Sequence, residues 1–387
     1  MILTIIIFII VLGLLIFVHE FGHFITAKRA GLRVDEFGFG FPPRAIGVII
    51  DLKVEKWRDK FKFFFGQSSA GEIPEGKTIY SLNWIPLGGF VKIYGEGGEG
   101  REDEKSFASQ KPWRRALILI SGVTMNVILA AILISVGFFI GLPQEITSQN
   151  ETYARNVKIQ IINVATDSPA KEAGLKIGDA ILKISESESG KVLVPARVEE
   201  VQEFVKSFLG RILELEISRG KEVLKFFVLA RENYPQDQGA MGIAMAKTGI
   251  VSFSLPRSVW EGAGLTIHLL GQIIYAFYFI IKNLIVSGQV VGGLAGPVGI
   301  FVFTGEAARL GFVYLLQFTA LISLNLAVIN AFPFPALDGG RLLFVLIEKI
   351  KGSPVNQKIE KWIHNIGFAL LLALIILITF MDIGRFF

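Results

Sequence analysis

The chain has 387 residues, 52% of them hydrophobic and 19% charged, with a mean hydropathy of +0.54 and a net charge of +5. That is too apolar for an ordinary soluble protein and implies a membrane, where cationic loops beside spans account for the positive balance; no basic patch with interleaved aromatics points to nucleic acid. Having no cysteine, the chain excludes disulfides, thiolate ligands and cysteine nucleophiles, so any metal must sit on nitrogen and oxygen.

The first eighteen residues are uncharged, and neither a basic leader nor a small-residue cleavage site accompanies them. Residues 2–27 are therefore read as a retained span, with His19, Glu20 and His23 in its helical register. Residues 28–115 form a loop bounded by Lys28-Arg29 and Arg114-Arg115, which orients it to the cytoplasm and puts the amino terminus outside. Within it, residues 79–94 alternate around Gly88-Gly89 and predict a β-hairpin at the membrane.

Residues 116–142 make a second span. An exterior domain follows at 150–247, with alternating strands at 158–164, 213–217 and 224–229. Between the first two, Ser168 can cap a short helix, Pro169 suits its first position and Gly174 can end it in a left-handed conformation. Residues 255–305 form an amphipathic or re-entrant membrane-surface segment. Its apolar stretch 262–281 contains His268 and is kept from being a lone crossing by parity, as the site requires. Gly-rich residues 292–299 lack the Lys-Ser/Thr ending of a phosphate loop and read as a loop or hinge. Residues 310–337 and 365–381 complete about four spans, with the carboxyl terminus outside.

His19-Glu20-Phe21-Gly22-His23 fits HExxH. Histidines at i and i+4 share one helix face and can reach one zinc ion, with the intervening glutamate close enough to take a proton from water activated there. Two imidazoles and a carboxylate inside a span are costly without such a purpose. A catalytic zinc needs a third protein ligand, for which His268, His364 and the carboxylates are open. Asp338 stands out, ending a string from Asn330 in which Pro333 and Pro335 break the helix at membrane depth. A helix cap is the competing role for Asp338. Gly122 and Asn126, one turn apart in the second span, are explained by helix packing alone.

HEFGH in the first span, Gly122 to Asn126 in the second, a PDZ-like string at 168–179 and then NAFPFPALDGG, in that order, resemble the site-2 protease family over nearly the whole chain. The layout is most similar to the bacterial regulators of sigma-E type, although one PDZ-like module is visible rather than two. The resemblance implies a polytopic α-helical membrane protein of about four transmembrane helices, with a membrane-associated β-hairpin and one inserted extracytoplasmic PDZ-like α+β domain. Its parts are residues 1–142, 150–247, 255–305 and 306–387.

The resemblance further implies that His19, His23 and Asp338 bind Zn²⁺ and that Glu20 is the general base. Asn330, Pro333 and Pro335 shape substrate binding, while the hairpin at Gly88 and Gly89 pairs with an extended substrate by strand addition. Amides near residues 239–243 would receive a chain terminus. The implied activity is zinc endopeptidase cleavage within single-span membrane proteins, an anti-sigma factor or remnant signal peptides, in the lipid bilayer of a bacterial inner membrane. The alternative is a membrane-anchored PDZ scaffold with a non-catalytic metal site.

Overall fold

Aliphatic sequence builds most of the first helix, and Lys28 and Arg29 close it where cations complement the helix dipole. The computed structural model describes residues 2–50, 61–66, 77–147, 150–186, 188–220, 222–235, 238–288 and 295–386. Its helices are α1 (Ile2–Arg29), α2 (Pro112–Ile140), α3 (Pro169–Glu172), α4 (Val198–Ser207), α5 (Leu255–Ser287), α6 (Pro297–Leu310), α7 (Phe312–Ala331), α8 (Asp338–Lys351) and α9 (Gln357–Phe386). Two compact units emerge, one made of Met1–Ser135 with Val259–Phe387 and the other of Val136–Ser258.

Among the described residues, five helices are long and apolar enough to cross a membrane by length and composition: α1, α2, α5, α7 and α9. The sequence reading counts about four. The additional one is α5, an unbroken helix of 33 residues with no turn at which to re-enter. The third expected span is shorter than residues 310–337, because Gly311 (φ +127°) separates α6 from α7 and irregular backbone follows Ala331. Residues 292–294 of the Gly-rich stretch lie outside the described residues; Gly296 and Pro297 stand at the start of α6.

In the first unit, α2 runs antiparallel to α1. Val11 and Leu15 pack with Leu129, while His23 meets the backbone of Ile118 near the other end of the pair. Helix α7 joins the cluster through Leu315, Ile322 and Leu326, and Ser323 Oγ donates to the carbonyl of Asn126 at 2.7 Å. Between lipid-embedded helices apolar burial supplies little drive, so close packing and such hydrogen bonds carry the association.

The expected hairpin is a three-stranded sheet of β1 (Val34–Ile50), β2 (Phe61–Phe65) and β3 (Ile79–Ile93), in the order β2-β1-β3. Residues 36–39 of β1 are flanked on one side by 89–92 and on the other by 79–82, which leaves the late half of β3 as an edge. Aromatics join this sheet to α1. Phe17, Phe21 and Phe24 recur at helical spacing, and Phe37 stacks on Phe24 with centroids 4.8 Å apart and lies 5.4 Å from Phe17.

The second unit is β-rich. Its strands are β4 (Leu142–Glu145), β5 (Ala154–Val164), β6 (Ala180–Glu186), β7 (Val192–Leu193), β8 (Ile212–Arg219), β9 (Glu222–Leu229) and β10 (Ile243–Val251). They form a seven-stranded sheet ordered β4-β10-β5-β6-β8-β9, with β7 on β6. Alternation buries Leu213, Leu215 and Ile217 of β8 completely in one core with Ile161 and Ile184. Ser168 caps α3 by accepting from Lys171 N, Pro169 opens the helix, and Gly174 takes φ +88°.

Candidate metal centre

Three side chains from two distant segments converge. Nε2 of His19 and Nε2 of His23 lie 3.3 Å apart, and Oδ2 of Asp338 is 2.9 Å from the first and 3.2 Å from the second. Both histidines are buried. Ligands about 2.0–2.1 Å from a tetrahedral zinc stand about 3.3 Å from one another, so these spacings are close to one face of such a site. This is the one group of three or more potential ligands found among the described residues.

The other ring nitrogens are also engaged. His23 Nδ1 donates to the Ile118 carbonyl at 2.8 Å. The carboxamide nitrogen of Asn126 is 3.3 Å from His19 Nδ1, while Asn126 Oδ1 is buried and has no partner among the described residues. Oxygen and nitrogen of an amide exchange by a half-turn, and that turn lets Oδ1 accept a hydrogen bond from the Nδ1–H of His19. Each imidazole is then fixed through Nδ1 with Nε2 free for a metal, the outer-shell arrangement that metal-ligating histidines almost always adopt. Chemistry of the donors and their outer partners therefore fits zinc.

Helix packing, which was expected to account for Gly122 and Asn126, is an incomplete explanation. A methyl on Gly122 would fall 2.3 Å from His23 Nε2 and 2.9 Å from His19 Cε1, so α2 approaches both rings only because that side chain is missing. The available signal was a polar residue inside an otherwise uncharged span.

Asp338 is the first residue of α8, and Leu337, which precedes it, makes no side-chain cap. The approach to α8 is tightly folded: a methyl on Gly339 would lie 2.3 Å from the Ala331 and Phe332 carbonyls. Asn330 is half-buried at the end of α7; Pro333 is exposed and Pro335 half-buried in the connection. Glu20 is half-buried beside the convergent group, and its Oε2 accepts from Val91 N on the β3 edge at 3.1 Å. Gly89 is close by, since a methyl there would be 4.0 Å from Glu20 Cγ, and neighbouring Gly88 has φ +86°. His268 and His364 remain outside the group, His268 bonded to Gln272 and His364 to the backbone of Ala336.

Membrane-length helices around an HExxH pair and a distant aspartate define a zinc metalloprotease of the site-2 type, a protease built into membrane helices. The chain belongs to peptidase family M50, whose sequence profile matches residues 7–58 and 55–374. A relative in Clostridium perfringens that bears a zinc metalloprotease name is 33% identical, covering 95% of each chain. The zinc metalloprotease RasP of Oceanobacillus iheyensis and the regulator of sigma-W protease RasP of Bacillus subtilis are each 28% identical, covering 99% of both chains.

Proposed function

We propose that His19, His23 and Asp338 hold the zinc and that Glu20 is the general base of peptide hydrolysis within membrane-embedded substrates. The observation that carries this reading is the approach of two Nε2 atoms and Oδ2 to within 3.3 Å of one another. A bound zinc supplies Lewis acidity, which polarises a peptide carbonyl and acidifies water. Val91 N–H holds Oε2 of Glu20, leaving Oε1 to take the proton of the attacking water and pass it to the leaving nitrogen.

A helical substrate must be opened before its carbonyl is accessible, because that carbonyl is bonded within the helix. The late half of β3 supports a way to do this. Alternation turns the backbone groups of Gly89 and the carbonyl of Val91 to the same edge, where an extended segment can add as a strand next to Glu20. Asn330, Pro333 and Pro335 would then bound the segment from the Asp338 side. The substrates of this reading are single-span membrane proteins, an anti-sigma factor or remnant signal peptides; the name of the Bacillus subtilis relative supports the former.

In the β-rich unit, β4 pairs only with Thr248–Val251, so the early half of β10 has a free edge facing α4. A cavity of about 430 Å³ lies there, lined by Val205, Tyr234, Met241, Ile243 and Met245. It supports a PDZ-like module receiving a chain terminus near residues 239–243.

The proposed topology has four crossings, α1, α2, α7 and α9, with residues 28–115 cytoplasmic and the β-rich unit and both termini outside a bacterial inner membrane. Covalent reach argues against a crossing by α5. Gly262 abuts Ser135 near the exterior end of α2, and Gly296 abuts Ile378 and Asp382 near the exterior end of α9. If α5 descended through the membrane, the nine steps from Ser287 to Gly296 would have to recross about 30 Å at nearly full extension. Backbone so extended in hydrocarbon leaves its polar groups unpaired. An α5 lying along or obliquely in the outer interface avoids this.

The deciding experiment measures bound zinc and cleavage of a membrane-helix reporter in detergent for the wild type and Glu20→Gln. Retained zinc with cleavage reduced by several orders of magnitude is expected; robust turnover in the variant would overturn the mechanism, and absent cleavage by the wild type would favour the scaffold alternative.

A further inference from the structure

The segment bringing Asp338 to the metal group is held partly by its own turn bonds and partly by α9. Ala336 sits at φ +74°, a left-handed conformation unfavourable for a residue with a Cβ. Within the connection, Phe334 N bonds to Phe332 O and Leu337 N to Phe334 O. The Ala336 N–H instead leaves the loop for α9, where Nδ1 of His364 accepts it at 2.9 Å.

Helix α9 grips the same loop twice. One turn beyond His364, Gly367 lets Pro335 lie directly on the helix, since a methyl there would fall 2.4 Å from Pro335 Cβ. The imidazole is steadied by Phe344 of α8, with ring centroids 5.5 Å apart. Because a backbone N–H donates to it, Nδ1 carries no proton, and the ring's proton is on Nε2. That Nε2 is buried without a partner among the described residues, and the ring lines a cavity of about 340 Å³ with Arg341, Glu348 and Glu360. The nitrogen that counts is thus Nδ1, with Nε2 playing no part in holding the loop.

We propose that His364 is a positioning residue for the hydrolytic site. By accepting the Ala336 N–H it maintains the left-handed turn two residues before Asp338 and so aims that carboxylate at His19 and His23. This rests on Asp338 being a zinc ligand. Without the acceptor the turn is free to relax, the peptide planes leading into Asp338 rotate, and the carboxylate leaves its place beside the histidines.

Amide isosteres test the idea. Asn presents an oxygen about where Nδ1 lies, whereas Gln presents one about where Nε2 lies. Zinc release to a chelator and the visible spectrum of the Co²⁺-substituted protein are the readouts, because both report ligand geometry independently of turnover. His364→Gln should release zinc about tenfold faster and alter the cobalt spectrum, an effect of the size found for outer-shell partners. His364→Asn should stay close to wild type on both. Adding Ala336→Gly to His364→Gln should recover most of the loss, since glycine adopts the left-handed turn unaided. Equal loss in the Asn and Gln variants, or none in either while Asp338→Asn loses zinc, would overturn the proposal. Failure of Ala336→Gly to recover any of the loss would do the same. Unchanged zinc binding in Asp338→Asn would instead remove the ligand reading on which it stands.

Discussion

The carboxamide of Asn126 lies 3.3 Å from Nδ1 of His19, on a ring whose other nitrogen is 2.9 Å from Asp338. With its oxygen turned toward Nδ1, the amide fixes the tautomer and angle of the imidazole without entering the group itself. Asn126→Ala leaves His19 Nδ1 with no partner, and zinc affinity should fall about 10–100-fold. Asn126→Asp, which still accepts from Nδ1, should bind zinc at least as tightly as wild type. Competition with a chromophoric chelator measures both, and an Ala variant of unchanged affinity would reduce Asn126 to a packing residue.

Val91 N–H faces Glu20, while residues 89–92 of the same strand pair with residues 36–39 of β1. Proline at an edge position removes the outward donor and spares the ladder on the other side. Val91→Pro should therefore retain zinc but cleave about 10–100-fold more slowly, because a hydrogen bond to a charged group is worth about 1.5–3 kcal/mol. The effect should fall on kcat, and a change confined to KM would instead assign Val91 N–H to substrate pairing.

What the sequence disclosed about this site follows from how local each signal is. His19 and His23 are legible because one helical turn fixes their relation, and Asp338 because two prolines mark its neighbourhood as non-helical. Asn126 was read as packing, since its use depends on the register of α2 against α1, which no single segment encodes. The same holds for β1: Gly38, Gly40, Pro42 and Pro43 interrupt its alternation, so only its partner β3 stood out as a strand. Hydropathy also left α5 ambiguous, because a window average does not distinguish a helix within the membrane from one on its surface.

Single cysteines test the topology cleanly in a chain that has none. Ser207 on α4 and Glu104 in the loop before α2 are both exposed. In intact cells Ser207→Cys should react with an impermeant maleimide, whereas Glu104→Cys should react only after the membrane is opened. A cysteine at exposed Ser287, at the end of α5, should label like Ser207→Cys if α5 stays in the outer interface. Labelling of Ser287→Cys only in opened cells would make α5 a fifth crossing.

Asp338→Asn separates the two roles open to this carboxylate. The substitution preserves size and hydrogen bonding but removes the charge that offsets a divalent cation in surroundings of low dielectric. As a ligand, Asp338 therefore cannot be replaced by Asn without a sharp drop in zinc content and in reporter cleavage. As a cap it can, because Asn caps a helix about as well as Asp, and the substitution would be nearly silent. Asp338 follows the N-cap position, which Leu337 occupies without a side-chain cap bond, and its Oδ2 lies against the two imidazoles. Zinc stoichiometry after exhaustive dialysis, with the cleavage rate measured on the same samples, should show Asp338→Asn depleted of metal and inactive and Asp338→Glu intermediate. Wild-type metal content together with wild-type cleavage in Asp338→Asn would return Asp338 to capping and leave the third ligand to be found elsewhere.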